Sequence, residues 1–124
     1  MKYYIKKLKC LSDETRIRIL KVIIQSKTEL CVCEIVDSLQ IPFYTISKHI
    51  KELKNAEILS ETKEGKFVLY SFVDKKDDFL NKIIDLIKSI PDEFFSNDIK
   101  LLEKRLSIRN NGKCVVGMNE NQNL

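Results

Sequence analysis

Apolar residues recur at helical spacing along most of this chain, with one region of short runs that suit strands. Tyr4, Ile5 and Leu8 mark a short first helix over residues 2–10. Ser12 is a suitable N-cap for a second helix, and Asp13 and Glu14 then occupy its first turn, where the helix dipole favours negative charge. Ile17, Leu20, Ile23 and Ile24 form the buried stripe of that helix. Thr28 is placed to cap a third helix with Leu30, Ile35, Val36 and Leu39 inward. Pro42 cannot continue it but suits the first turn of a fourth. In the fourth helix Ile46, Ile50 and Leu53 make one core-facing stripe, while Thr45, Ser47, Lys48, Lys51 and Glu52 fall outside it.

Two helices joined by a short turn, the second polar on its outer side, predict a helix-turn-helix. Residues 58–63 and 66–72 then read as two strands joined through Glu64-Gly65, where glycine supplies the positive φ of a tight hairpin. A hairpin directly after a helix-turn-helix is a wing, so the expected fold is mainly α with a β-hairpin wing, a winged helix-turn-helix. From Asp78 onward Leu80, Ile83, Ile84 and Ile87 form one apolar stripe, and Phe79, Leu86 and Ile90 widen it to a second face. A helix apolar on two faces needs more than its own core to cover it, which predicts a homodimer. Pro91 stops that helix, and Asp92-Glu93 begin another, with Phe95, Ile99, Leu102 and Leu106 in register and Gly112 at its end. The expected organisation is a DNA-binding and dimerisation domain over residues 1–91, a C-terminal helix over 92–112 and a polar, mobile tail over 113–124.

Composition narrows the class only slightly. The 124 residues suit one domain, and 44% hydrophobic with 32% charged content is that of an ordinary globular chain. No apolar run approaches the ~20 residues that span a bilayer, and no signal-peptide core follows the basic start, so a cytoplasmic location is expected. The net charge of +4 permits a polyanionic partner without requiring one.

The four cysteines, Cys10, Cys31, Cys33 and Cys114, change the picture more. In a reducing compartment they are free thiols, and the Cys31-Val-Cys33 pair is a soft-metal ligand pair just before the reading helix. Cys31, in the first turn of a helix starting at Thr28, would have its thiol pKa lowered by the free backbone N–H groups. Residues i and i+2 of an ideal helix lie about 200° apart, so one ion held by both sulfurs would have to unwind the helix start. Cys10 lies at an apolar helical position and is read as packing.

The run Leu11-Ser-Asp-Glu-Thr-Arg-Ile-Arg-Ile-Leu20 resembles the opening helix of the ArsR/SmtB metalloregulatory repressors. Glu29-Leu-Cys-Val-Cys-Glu-Ile35 is similar to that family's arsenic and heavy-metal box, Thr45-Ile-Ser-Lys-His-Ile-Lys-Glu-Leu53 to its recognition helix, and Gly65-Lys-Phe-Val-Leu-Tyr-Ser-Phe72 to its wing. The resemblance implies a homodimeric repressor that leaves its operator when a metal or metalloid binds. As(III) or Sb(III) would be the effector, Cd or Pb the alternative, with no organic cofactor. Cys31 and Cys33 would be ligands, with Cys114 a candidate third, because the third cysteine that some members carry five positions after the first is Val36 here. Gln40 stands in place of a helix-ending Gly, and Pro42-Phe43-Tyr44 in place of smaller polar residues. Residues 78–90 contain no histidine, which argues against the zinc site of related sensors.

For DNA, the expected groove-facing set is Thr45, Ser47, Lys48 and His49, with Tyr44 beside them, while Lys51, Lys63 and Lys66 meet phosphates. A two-fold dimer predicts an inverted-repeat operator with half-sites about one helical turn apart. The competing readings are a repressor released by thiol oxidation, a DNA-binding protein without an effector, and a small thiol enzyme. The last has no supporting His/Asp arrangement or βαβ pattern around its cysteines.

Overall fold

The computed structural model describes residues 1–114. Its elements are α1 (Lys2–Cys10), α2 (Glu14–Ser26), β1 (Leu30–Cys31), α3 (Val32–Leu39), α4 (Phe43–Asn55), β2 (Leu59–Glu64), β3 (Phe67–Phe72), α5 (Asp78–Lys88) and α6 (Ser96–Leu106), with a 3-10 turn over Asp92–Phe95. This is the mainly helical winged helix-turn-helix that the apolar pattern predicts.

One core joins the helices. Ile19, Leu20, Val22 and Ile23 of α2, Ile35, Val36 and Leu39 of α3, and Ile46, Ile50 and Leu53 of α4 are all buried in it, with Leu80, Ile83, Ile84 and Ile87 of α5. Fully burying one such side chain contributes about 1.5–3 kcal/mol. An exposed pair such as Lys82–Asp78 contributes roughly 0–1 kcal/mol, so the apolar stripe and not surface charge sets how α5 sits.

Several boundaries differ from expectation for local reasons. Asp13, not Ser12, caps α2, because its extended backbone lets the carboxylate take the Arg16 N–H at 3.0 Å, while the Ser12 hydroxyl donates back to the Lys9 carbonyl. The third helix starts at Val32 and not at Thr28: Leu30 and Cys31 pair with Tyr70 and Leu69, adding a third strand in the order β1-β3-β2. Backbone pairing to the wing outweighs the helix propensity of the short Leu30–Cys31 segment. Gln40 takes the left-handed conformation (φ 57) between α3 and α4, and its side-chain amide donates to the Asp37 carbonyl at 2.7 Å, offsetting part of the cost a glycine would avoid. Gly65 (φ 60) is the first residue of a two-residue wing turn between paired Glu64 and Phe67, the pattern of a II′ hairpin.

The C-terminal helix ends at Leu106, short of Gly112. Gly112 (φ 73) and Asn111 (φ 55) instead make a tight turn between Asn110 and Lys113, which exchange backbone hydrogen bonds. That turn carries Cys114 inward to a buried position. Of the tail expected over 113–124, residues 115–124 lie outside the described part of the chain. On α1 the burial is inverted: Lys7 is fully buried, donating to the Ala56 carbonyl at 2.7 Å, while Tyr4, Ile5 and Leu8 are 43%, 41% and 48% exposed. Leu86 on α5 is also 60% exposed. Among the described residues no helix is long and apolar enough to cross a membrane.

Candidate metal centre

Three of the four cysteines converge. The Cys31 Sγ lies 2.7 Å from the Cys33 Sγ and 2.9 Å from the Cys114 Sγ, and Cys33 and Cys114 are 3.6 Å apart. All three are buried, with Phe67 and Leu69 of β3 packed against them. They are the one group of three or more candidate metal ligands among the described residues, and one ion at metal–sulfur distances of about 2.3 Å is within reach of all three. Cys10 lies apart in the main core, its thiol directed at the Glu52 carbonyl.

The convergence of Cys31 with Cys33 corrects the expectation that the pair must deform its helix. Cys31 is the N-cap of α3, with extended backbone (φ −82, ψ 160), and only Cys33 is helical. The 200° separation of an ideal helix does not apply, and the two sulfurs meet without unwinding. The Cys31 N–H is held by the Glu34 carboxylate at 3.1 Å, the return half of a capping box in which cysteine stands where serine or threonine is usual.

Charged side chains from α6 and the turn after it enclose the sulfurs. Arg109 forks onto Glu34, both contacts at 2.6 Å, and also donates to the Glu29 and Gly112 carbonyls. Arg105 donates to Asp37 at 2.8 Å and reaches the Cys33 and Cys114 sulfurs at 3.6 and 3.9 Å. Lys113 pairs with Glu64 at the end of β2. None of Glu34, Asp37, Arg105 and Arg109 figured in the sequence expectation. A signal existed for them: Glu34 stands three residues after Cys31, and Arg105 and Arg109 follow Leu102 by three and seven residues, a helical spacing in sequence although Arg109 lies beyond the end of α6.

The thiols share their protons unequally. The Cys31 thiol is pushed far up, first by its hydrogen bond to Cys33 and then by burial. Cys33 is pulled down to about 7, first by the Cys31 thiol, with Cys114 and the Arg105 guanidinium helping against burial. Burial is the first cause holding Cys114 up. Above pH ~7 the cluster thus holds one thiolate, on Cys33, flanked by two protonated thiols. Below pH ~7 Cys33 is protonated and above it ionised, so the ultraviolet thiolate band should gain one cysteine's worth of intensity on raising the pH through that point. Cys33→Ser should remove this step, and a first ionisation only above the ordinary thiol range of ~8.5 would contradict the arrangement.

The DNA-facing candidates divide. Tyr44 is 79% exposed, Lys48, Lys51, Lys63 and Lys66 are exposed, and Thr45 and Ser47 are half-buried on the outer side of α4. His49 is turned toward α2: its Nδ1 lies 3.1 Å from the Arg16 guanidinium and 4.0 Å from Asp13. Lys63 and Lys66 flank the wing turn.

A winged helix-turn-helix with a buried thiol cluster against its wing strand points to a DNA-binding regulator. The family profile "Bacterial regulatory protein, arsR family" matches residues 13–61. The chain is 39% identical over 77 residues to an HTH-type transcriptional regulator of Methanocaldococcus jannaschii, covering 62% of this chain and 85% of that one. It is 31% identical over 90 residues to an arsenic resistance transcriptional regulator of Pseudomonas putida (73% and 70%). It is 41% identical over 70 residues to a cadmium resistance regulatory protein homolog of Staphylococcus aureus (56% and 57%). The crystal structure of the regulator HlyU from Vibrio vulnificus shares the fold, with TM-score 0.55 and 24% identity over 69% of this chain and 84% of that one. The chain belongs to the arsR family of bacterial regulatory proteins. It is therefore a DNA-binding transcriptional regulator and not an enzyme.

Proposed function

We propose that this protein is a transcriptional repressor released from its operator when As(III) or Sb(III) binds Cys31, Cys33 and Cys114. The observation that carries this reading is the three-sulfur cluster, whose donors are all soft. Arsenite exchanges its three hydroxides for three sulfurs: two protonated thiols carry two of the hydroxides off as water, and the Cys33 thiolate displaces the third, which takes its proton from solvent. The resistance regulators among its relatives, named for arsenic and for cadmium, support a thiophilic effector and leave Cd or Pb as the second reading.

The position of the sulfurs supports a switch. Cys31 lies on β1, hydrogen-bonded to β3 of the wing, and Cys33 lies in the first turn of α3, which packs on α4. Cys114 brings in the segment after α6, tied to the wing through Lys113–Glu64. An ion bound to all three sulfurs sets their spacing anew, from the present 2.7, 2.9 and 3.6 Å, and thus acts on both DNA-reading elements. A coupling of ~1–3 kcal/mol would weaken operator binding ~5–150-fold. Tyr44, Thr45, Ser47 and Lys48 would read the groove, Lys51, Lys63 and Lys66 would meet phosphates, and His49 would hold α4 to α2 through Arg16. The exposed apolar residues of α1 and α5 suit a two-fold dimer, which calls for an inverted-repeat operator.

The test is to select an operator from a random DNA pool, label it, and titrate the bound complex with arsenite, antimonite, cadmium, lead and peroxide in turn. Release by arsenite or antimonite is expected. Release by peroxide alone would favour a thiol-oxidation switch, and binding unchanged by every agent would end the effector hypothesis.

A further inference from the structure

The ion pairs around the thiols have a consequence for which ions the cluster holds, and it rests on the reading of Cys31, Cys33 and Cys114 as the ligand set. Three thiolates carry three negative charges. A trivalent ion cancels them, whereas a divalent ion leaves one negative charge on the complex. The sulfur-bearing residues are 1%, 5% and 8% exposed, so water does little to stabilise that remainder.

The surrounding charges do not stabilise it either. Arg105 faces the Cys33 and Cys114 sulfurs but is paired with Asp37, and Arg109 is paired with Glu34 through two contacts. Two buried guanidinium groups are thus matched by two buried carboxylates. Glu34 is itself fully buried, and its carboxylate holds the backbone N–H of the ligand residue Cys31. Arg109 also donates to the backbone carbonyl of Glu29. Arg105 with Asp37 and Arg109 with Glu34 thus form two pairs that each carry no net charge.

We propose that Glu34 and Asp37 make the cluster selective for ions whose three-thiolate complex is uncharged, trivalent arsenic, antimony and bismuth, over divalent cadmium and lead. The two carboxylates cancel the positive field that Arg105 and Arg109 would otherwise present to an anionic complex. A Glu34→Gln or Asp37→Asn change keeps the shape and a hydrogen-bonding oxygen but removes one negative charge, which stabilises the divalent complex relative to the neutral one.

The experiment measures arsenite and cadmium affinities of the full chain in competition with glutathione, which supplies sulfur without the buried charges. The wild-type protein should favour arsenite over cadmium more strongly than glutathione does. Each variant should move the ratio toward cadmium by about tenfold or more, about the factor that 1.4 kcal/mol of electrostatic difference produces. Where one variant fails to fold by circular dichroism, the other variant and the wild-type ratio decide. A wild-type ratio no better than that of glutathione, or folded variants with an unchanged ratio, would overturn the proposal and leave the thiol site standing. Failure of the wild-type protein to bind either ion would instead overturn the site.

Discussion

Cys33→Ser should leave the repressor on its operator at arsenite concentrations that fully release the wild-type protein, a shift of about 100-fold or more. Cys33 is the ionised member of the cluster, contacting both other sulfurs and facing Arg105. A serine hydroxyl is a hard donor that stays protonated at neutral pH, so the variant loses the initiating nucleophile and one of three soft ligands together. Operator affinity without effector should change by less than about threefold, because serine nearly keeps the volume of cysteine and the DNA-reading side chains are unchanged. Fluorescence anisotropy of labelled operator checks both quantities. Cys31→Ser should behave alike, since its sulfur lies within 3 Å of both partners. A Cys33→Ser protein that still leaves DNA at the wild-type arsenite concentration would remove the cluster from the mechanism.

Arg109→Ala should be the most destabilising single change at the site, by about 3–5 kcal/mol, the usual cost of leaving a buried charge without its partner. The Glu34 side chain is 0% exposed and Arg109 10%, so solvent cannot take over the role of the guanidinium. The same change frees the turn that carries Cys114, because Arg109 also donates to the Glu29 and Gly112 carbonyls. Thermal denaturation should show the midpoint falling by roughly 10–25 °C, since 1 kcal/mol moves a domain of this size by about 3–5 °C. Adding Glu34→Gln to Arg109→Ala should recover part of the loss by removing the stranded charge. A midpoint within a few degrees of the wild type would show that the pair is not closed in solution.

The fold was legible because its elements carry local signals. The stripe Ile46, Ile50 and Leu53, the break at Pro42 and the turn at Gly65 each follow from short-range sterics and periodicity, and they are enough to define a winged helix. The chemistry of Cys31 and Cys33 was legible from residue type and spacing alone. The start of α3 was not. Ser12 and Thr28 are both capping residues by type, yet Asp13 caps α2 and Cys31 caps α3, the latter because Leu30 and Cys31 are drawn into the sheet by partners about forty residues away on β3.

By itself, then, the sequence determined the elements, the turn chemistry and the presence of soft ligands, all of which depend on neighbours within a few residues. Tertiary structure decided the rest. It turned Cys31 into an extended cap so that its sulfur meets that of Cys33, and it closed an 83-residue separation to bring Cys114 beside them. It also placed Glu34, Asp37, Arg105 and Arg109 around the sulfurs, where burial makes their charges count. No local pattern encodes these meetings, because loop closure between distant residues is driven by burial of the whole apolar surface and not by the residues that happen to meet.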